Sequence, residues 1–200
     1  VGGHLLHVLG YHPEILEQEG WGSLLKVWDG LSSMGGVLGG LIALLIFFRA
    51  RGLRVLPWAN ALALGVAPGW AVARLGCFAA HDHPGVRTDF PLAVAFPDGP
   101  RHDLGLYEAL LLGSIAGVLW LLARRPRPEG QLMGVLALAY SIPRFFLDFL
   151  RATDLPFSDG RIAGLTPAQY IAVGLTAVGV WLVARARNRP VAGAERAAAA

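Results

Sequence analysis

Five long stretches of this sequence are almost free of charged side chains, and this feature restricts the folds open to the chain. They are residues 31–48, 55–73, 104–123, 130–150 and 162–184. A helix that crosses a bilayer needs about 20 apolar residues. Charged residues make up only 16% of the chain, whereas soluble domains carry about 25%. We therefore predict an all-α polytopic membrane protein with about five transmembrane helices, joined by short helices and loops outside the membrane.

Prolines interrupt the second of these stretches. Pro57 and Pro68 both lie within it, together with several glycines. Proline removes a backbone donor and bends a helix, and membrane proteins use broken helices where the backbone lines a cavity. A continuous span and a broken or re-entrant helix therefore both remain open for residues 55–73.

Arginines collect at the ends of the apolar stretches, in three groups: Arg49, Arg51 and Arg54; Arg124, Arg125 and Arg127; Arg185, Arg187 and Arg189. If the spans alternate in direction, all three groups fall on the same side of the membrane. Basic loops stay on the cytoplasmic side, so the loop 77–103 is expected on the opposite side. This distribution is typical of a protein in a lipid bilayer and differs from the basic stripe of a nucleic-acid-binding protein.

The same distribution predicts the organisation of the chain. Residues 1–30 are expected to hold the end of a truncated span and an amphipathic segment on the outer surface. Residues 31–186 would form the transmembrane bundle, with 77–103 as its outer loop. Residues 187–200 are expected to be a disordered cytoplasmic tail, because the segment is rich in alanine and has low complexity.

Four charged residues fall within or at the ends of the spans, namely Arg74, Glu108, Arg144 and Asp148. Charges inside a membrane are costly and are usually functional. Arg144 and Asp148 are four residues apart on a helix and are therefore expected to pair, and Arg74 is expected to pair with Glu108. We predict that the four residues meet in a polar cavity that receives an anionic lipid. Purely structural ion pairs are the alternative.

The loop 77–103 contains several titratable side chains, including His81, Asp82, His83 and His102. The His-Asp-His sequence is similar to a metal-binding cluster, but no third, distant ligand is evident, so we predict no metal site and no cofactor. Cys77 is the one cysteine of the sequence and is expected to be a packed thiol; a nucleophile is the alternative. Arginines are better suited to phosphate, since a guanidinium binds two phosphate oxygens at once.

Several segments resemble motifs of the bacterial prolipoprotein diacylglyceryl transferase family. A-R-L-G-C-F-A-A-H-D-H-P-G at 73–85 is similar to the signature G-R-x-G-N-F-x-N-x-E-x-x-G. Other segments resemble the family in the same order: V-W-D-G at 27–30, F-P-L-A-V-A-F-P at 90–97, R-H-D-L-G-L-Y-E at 101–108, R-R-P-R-P-E-G-Q-L at 124–132, Y-S-I-P-R-F-F-L-D-F-L-R-A-T-D at 140–154 and L-T-P-A-Q at 165–169. Together these segments extend over nearly the whole chain.

The resemblance implies an activity and a cellular setting. The family transfers diacylglyceryl from phosphatidylglycerol to the lipobox cysteine of prolipoproteins, the first step of lipoprotein maturation. The expected partners are therefore phosphatidylglycerol, prolipoprotein signal peptides and the bilayer, without nucleic acid. The family has seven spans, of which the last five correspond to those predicted here. It resides in the bacterial inner membrane, with the active site toward the periplasmic leaflet and the C-terminus in the cytoplasm.

The resemblance also assigns roles to individual residues. Arg74 and Arg144 match essential arginines that would clamp the phosphate, and Tyr140 matches a functional tyrosine. His102 matches the histidine of the R-H-P motif and is the expected base or headgroup contact. Substrate-binding roles are implied for Gly36, Asp82, Gly85, Tyr107, Glu108 and Asp148.

The sequence also departs from the family motifs. The histidine of the family's H-G-G motif aligns with Gly35, or with Met34 after a shift of one residue, and the asparagine of the signature is Cys77. Two alternatives therefore accompany the transferase: a related lipid transferase or lipid-binding protein with a different acceptor, and a non-catalytic member of the family.

Overall fold

The computed structural model describes residues 1–11, 13–30, 33–155 and 161–189. It divides into two compact units, Val1–Val55 and Leu56–Ala200, which are described separately. Residues 31–32 of the first apolar stretch and residues 190–200 of the predicted tail lie outside the described residues.

The first unit contains three α-helices, α1 (Gly2–Leu6), α2 (Pro13–Glu19) and α3 (Ser33–Ala50), a π-helical turn (His7–Tyr11) and a 3₁₀ turn (Trp21–Leu25). Glycines allow α1 to approach α3 closely. A Cβ atom on Gly2 would lie 2.6 Å from the carbonyl oxygen of Gly35 and 2.8 Å from Cα of Gly39. Gly35 and Gly39 of α3 therefore serve close helix packing in this unit.

The second unit consists mainly of four long helices: α4 (Leu56–Ala80), α5 (Leu104–Ala123), α6 (Gln131–Leu147, continued by a 3₁₀ turn at Asp148–Leu150) and α7 (Pro167–Arg187). Each is long and apolar enough to cross a membrane. Among the described side chains, the apolar part of α3 is Gly39–Ala50, which is shorter. The all-α polytopic architecture is thus confirmed, while the described residues provide four candidate spans rather than the five expected.

Helix α4 is continuous through Pro68, so the broken or re-entrant alternative is wrong. Pro57 stands in the first turn, where its missing N–H group costs nothing. Pro68 removes one hydrogen bond from a helix of 25 residues, which a long apolar helix tolerates. The helix also runs past Ala73, the predicted end of the span, to Ala80, and it therefore carries both Arg74 and Cys77.

Small and aliphatic side chains of α4, α5 and α6 form the core of this unit: Ala63, Ala67, Leu112, Ile115, Leu119, Leu132, Leu136 and Tyr140. Large apolar side chains also point outward, among them Trp120, Phe146 and Trp181, which are more than half exposed. A soluble protein would hide such a surface, whereas lipid tails solvate it. The outward side chains therefore agree with a helix bundle in a bilayer.

Glycine sets the close contact between α6 and α7. A Cβ atom on Gly134 would lie 2.9 Å from Cβ of Leu182 and 3.1 Å from the backbone nitrogen of Val183. We expect Gly134→Ala to destabilise the protein by about 1–3 kcal/mol, because overpacking forces the helices apart. The matched control is Gly117→Ala on α5, where an added Cβ would meet no described atom within 4 Å. Denaturant-induced unfolding of both variants tests this, and equal stability would contradict it.

A three-stranded antiparallel sheet stands in the loop between α4 and α5, where the sequence predicted only helices and loops. Its strands are β1 (Pro84–Arg87), β2 (Val94–Phe96) and β3 (Gly99–Asp103), in the order β1-β3-β2. Pro100 lies in the central strand, where proline is normally excluded. The strands are also too short to show alternation, so the sequence pattern conceals the sheet.

Candidate active site

Two arginines from different helices meet at one carboxylate. Glu108, in the first turns of α5, is fully buried. Arg74 Nε of α4 lies 3.0 Å from Glu108 Oε2, and Arg144 Nε of α6 lies 3.2 Å from Glu108 Oε1. The Arg74–Glu108 pair was expected from the sequence, but the second contact of Glu108, with Arg144, was not. The structure therefore brings the two predicted phosphate-binding arginines to the same place.

Tyr140 joins this cluster. Its hydroxyl donates a 2.8 Å hydrogen bond to Glu108 Oε2, and its ring lies against Trp70 of α4, with ring centroids 4.5 Å apart. Tyr140 precedes Arg144 by one helical turn, so both side chains lie on the same face of α6. The tyrosine thus shares the carboxylate with the two arginines.

Asp148 holds the other side of the Arg144 guanidinium. Arg144 Nη1 donates a 2.6 Å hydrogen bond to Asp148 Oδ1, which confirms the pair expected four residues apart. The Thr166 hydroxyl donates to Asp148 Oδ2, and Arg151 Nε lies 3.4 Å from Asp148 Oδ1. Arg144 is therefore fixed between two carboxylates, one from α5 and one from the end of its own helix.

Thr166 is positioned by a capping box at the start of α7. The backbone nitrogen of Gln169 donates to the Thr166 hydroxyl oxygen, and the Gln169 side chain accepts from the Thr166 backbone nitrogen. Gln169 Nε2 also donates to the carbonyl of Phe145. These bonds tie α7 to the end of α6 beside Asp148.

Among the described residues, the cluster holds more guanidinium groups than carboxylates. Arg74, Arg144 and Arg151 contribute three guanidinium groups, while Glu108 and Asp148 contribute two carboxylates. Glu108 and Asp148 are fully buried, whereas the side chains of Arg74 and Arg151 are 17% and 20% exposed. The arrangement is suited to an anion, because guanidinium groups in a medium of low dielectric constant attract it strongly.

A histidine and a tyrosine form a second polar pair. His102 Nδ1, in β3, and the hydroxyl of Tyr107, in α5, are joined by a 2.6 Å hydrogen bond. Burial lowers the pKa of His102 below its ordinary value of 6.5. The imidazole is therefore neutral at neutral pH and is able to accept a proton.

Arg101 holds the strand that carries His102. Its guanidinium is buried and donates to the carbonyl of Gly85 at 3.0 Å, to Asp154 Oδ2 at 2.6 Å and to Asp98. The hydrogen bonds from Arg101 lower the pKa of both Asp98 and Asp154. These contacts join β1, β3 and the segment that follows α6.

Gly85 occupies a place without room for a side chain. An added Cβ atom would lie 2.7 Å from Cβ of His102 and 2.7 Å from the carbonyl oxygen of Leu150. Its backbone also pairs with that of Arg151. Gly85 therefore connects the strand of His102 with the segment that carries Arg151.

An apolar groove of about 490 Å³ opens between α5 and α6. It is lined by Tyr107, Leu111, Pro143, Phe146, Leu147 and Leu150. Tyr107 thus contacts the groove as well as His102. The lining is almost wholly apolar, which suits a hydrocarbon chain.

Two further predicted site residues lie on other elements of the chain. Gly36 lies in α3 of the first unit, where an added Cβ would meet no described atom within 4 Å. Asp82 is exposed on the loop after α4, with Oδ1 3.1 Å from His83 Nδ1. Cys77 accepts a 3.8 Å contact from Arg74 Nη1 and is only partly buried.

Sequence reasoning missed the roles of Thr166 and Arg151. A usable signal existed for Thr166, since T-P-A-Q has the spacing of a capping box. Arg151 lies within the segment 140–154 that resembles a family motif, three residues after Asp148, but no role was assigned to it from the sequence.

Comparison with known proteins agrees with the motifs. The sequence profile of the prolipoprotein diacylglyceryl transferase family matches residues 1–185. Proteins called phosphatidylglycerol–prolipoprotein diacylglyceryl transferase are similar over most of their length. The protein from Chromohalobacter salexigens is 35% identical over all of this chain and 76% of its own length. The Roseobacter denitrificans protein is 34% identical over 94% of this chain and 73% of its own length. The Polynucleobacter asymbioticus protein is 36% identical over 92% of this chain and 72% of its own length.

The match over residues 1–185 and these identities show the family. The chain belongs to the prolipoprotein diacylglyceryl transferase family, and the arginines of two of its motifs meet at Glu108.

Proposed function

We propose that this chain transfers the diacylglyceryl group of phosphatidylglycerol to the lipobox cysteine of prolipoproteins. The observation that carries the proposal is the meeting of Arg74 and Arg144, two guanidinium groups from different helices, at the single carboxylate of Glu108. The names of the similar proteins supply the two substrates. An enzyme for this reaction needs a cationic site for the phosphate at the edge of an apolar region, and the cluster meets this need.

In the reaction, the acceptor sulfur attacks the carbon of the diacylglyceryl group that is bonded to the phosphate oxygen. A carbon–sulfur bond forms, the carbon–oxygen bond breaks with its electron pair leaving on oxygen, and glycerol 1-phosphate departs. Arg74 and Arg144 bind the phosphate oxygens and stabilise the charge of the leaving group. When the lipid binds, the Tyr140 hydroxyl donates its hydrogen bond to a phosphate oxygen instead of to Glu108.

His102 is the proposed acceptor of the thiol proton. It is neutral at neutral pH because burial lowers its pKa, and its bond to Tyr107 orients the ring. The attacking species has to be the thiolate, so a neutral imidazole near the acceptor favours the reaction. Asp82, Gly85 and Gly36 keep their proposed roles in substrate binding.

The apolar groove beside Tyr107 supports lipid binding at the same end of the bundle. Tyr107 and Glu108 are neighbours in α5, so the polar cluster and the groove begin at adjacent residues. Asp148 and Glu108 contribute indirectly, by holding Arg144 in position for the headgroup.

The arginine distribution supports an orientation in the bacterial inner membrane. Arg124 and Arg125 follow α5, and Arg185 and Arg187 end α7. Basic residues at these helix ends favour the cytoplasm, which gives a cytoplasmic C-terminus. Glu108 lies at the opposite end of α5 from Arg124, so the site would face the periplasmic leaflet, where prolipoprotein signal peptides present their cysteine.

The deciding experiment uses the full chain in liposomes with labelled phosphatidylglycerol and a lipobox peptide. We expect a thioether-linked lipopeptide and an equal amount of glycerol 1-phosphate. Label on a different acceptor would indicate the related transferase with altered specificity. Binding of phosphatidylglycerol without any product would indicate a non-catalytic member.

The pH dependence tests the role of His102. A base with a lowered pKa remains neutral until the pH falls below 6.5, so acidification should reduce kcat/KM with a midpoint below that value. His102→Gln should lower the rate about a hundredfold, the smaller end of the usual range for a general base, and remove this acid limb. His81→Gln is the control and should retain the acid limb of the pH profile. An acid limb that persists in His102→Gln would contradict the assignment.

A further inference from the structure

The turn after α4 brings three side chains with metal-binding atoms together. One donor atom each of Cys77, Asp82 and His83 lies within 4.8 Å of the other two. We propose that these residues form a binding site for a divalent metal ion of borderline softness, and specifically for zinc. No proposed step of the transfer reaction involves a metal, although the site adjoins the transfer machinery: Asp82 also has a proposed substrate-binding role, and Arg74 contacts Cys77.

The backbone explains why residues five and six positions apart meet. Helix α4 ends at Ala80, and His81 adopts the left-handed conformation with φ of +51°. The backbone nitrogen of Asp82 then approaches the carbonyl of Cys77 at 3.4 Å. This reversal carries Asp82 and His83 back toward the last turn of the helix. The sequence alone showed only adjacent residues, so no third ligand was evident.

The two histidines of the turn have different surroundings. His81 Nδ1 lies 3.4 Å from Asp103 Oδ2, and its ring centroid lies 5.2 Å from that of Phe96. His83 Nδ1 is a buried atom that makes no hydrogen bond within the described part of the chain, although Asp82 Oδ1 is 3.1 Å away. His83 is therefore the histidine with a nitrogen available to a ligand.

The three donors match the chemistry of zinc. Sulfur, imidazole nitrogen and carboxylate oxygen are its usual ligands, at about 2.0–2.3 Å, and three protein ligands leave a fourth position for water. Bonds of that length place tetrahedral ligands about 3.3–3.8 Å apart. Closing a 4.8 Å gap needs a modest side-chain rotation. The Asp82 side chain is 49% exposed and has the freedom to make it.

The local charge also favours a dication. Arg74 Nη1 lies 3.8 Å from Cys77 Sγ, but the Arg74 charge is opposed by Glu108, 3.0 Å away. Cysteine gives up its proton when it binds a metal, so Cys77 and the Asp82 carboxylate would together contribute two negative charges that a divalent ion neutralises.

Direct metal titration tests the site. The purified full chain in detergent is stripped with a chelator and then titrated with zinc, and in parallel with cobalt, whose absorption reports tetrahedral thiolate ligation. We expect one zinc per chain and a cobalt–thiolate charge-transfer band. Cys77→Ser and His83→Ala should each weaken zinc binding at least about tenfold, since loss of even an indirect partner costs about that much. His81→Ala is the matched control and should bind zinc normally.

A second measurement needs no variant. Cys77 is the one cysteine of the sequence, so alkylation by a maleimide reports it directly. Zinc should slow this alkylation. The proposal is overturned if zinc leaves alkylation unchanged, if Cys77→Ser binds zinc as tightly as the parent protein, or if His81→Ala loses as much affinity as His83→Ala. Diacylglyceryl transfer by the metal-free protein is measured separately, so failure of either proposal leaves the other open to its own test.

Discussion

Replacing Arg144 with alanine is expected to reduce diacylglyceryl transfer about a thousandfold. Removal of one group that stabilises developing negative charge costs about 10²–10³ in rate, and Arg144 also completes the charge balance around Glu108 and Asp148. The loss should appear in kcat more than in KM, because the charge on the leaving phosphate develops in the transition state. Single-turnover formation of the lipopeptide in liposomes provides the measurement.

Two further variants separate chemistry from folding. Arg144→Ala removes a positive charge that pairs with the buried carboxylates of Glu108 and Asp148. The loss of this charge destabilises the bundle. Arg144→Lys keeps the positive charge but not the planar fork, so it should fold and still lose about tenfold or more in rate. Arg125→Ala, which removes an exposed arginine outside the site, is the control and should retain full activity. A folded Arg144→Lys protein with unchanged kcat would contradict the two-point phosphate clamp.

The sequence predicted those features whose cause is local. Residues 104–123 form a helix with the predicted bounds, because an apolar stretch of that length has no other stable conformation in a bilayer. The Arg144–Asp148 pair follows from helical spacing alone.

Features that depend on distant parts of the chain were not predictable in this way. The contact of Arg144 with Glu108 joins two helices, and the bond from Thr166 to Asp148 joins residues 18 positions apart. Both depend on how α5, α6 and α7 pack. The sheet was not predicted for a related reason, because its short strands are defined only by pairing with one another. One of these strands also contains Pro100, a residue that disfavours a strand.

The meeting of Cys77 with His83 has a different origin. It results from a single residue, His81, in a left-handed backbone conformation. Positive φ is uncommon outside glycine, and although histidine and aspartate are enriched among the exceptions, the sequence H-D-H does not by itself specify the reversal. The turn was therefore not predictable from the sequence H-D-H, because this sequence does not specify the φ angle of His81.

Glu108→Gln is expected to reduce both stability and activity. The change keeps the size of the side chain and an acceptor for Tyr140, but it removes the negative charge that Arg74 and Arg144 share. Removing one partner of a buried ion pair costs about 3–5 kcal/mol. The transfer rate should fall by about 10²–10³, because two guanidinium groups without their common carboxylate repel each other and leave the phosphate-binding geometry. Unfolding in denaturing detergent gives the free energy, and the liposome assay gives the rate.

The double variant Arg74→Gln/Glu108→Gln distinguishes the two roles of this carboxylate. If Glu108 compensates the arginines, removing Arg74 as well relieves the excess charge, and the double variant should regain a large part of the free energy of unfolding lost in Glu108→Gln. Its activity should nevertheless stay at the level of the single variant or below, because Arg74 is itself required to bind phosphate. Recovery of activity together with stability would show that Arg74 has no part in the reaction. Additive losses of stability would instead show that Glu108 does not couple to Arg74 at all.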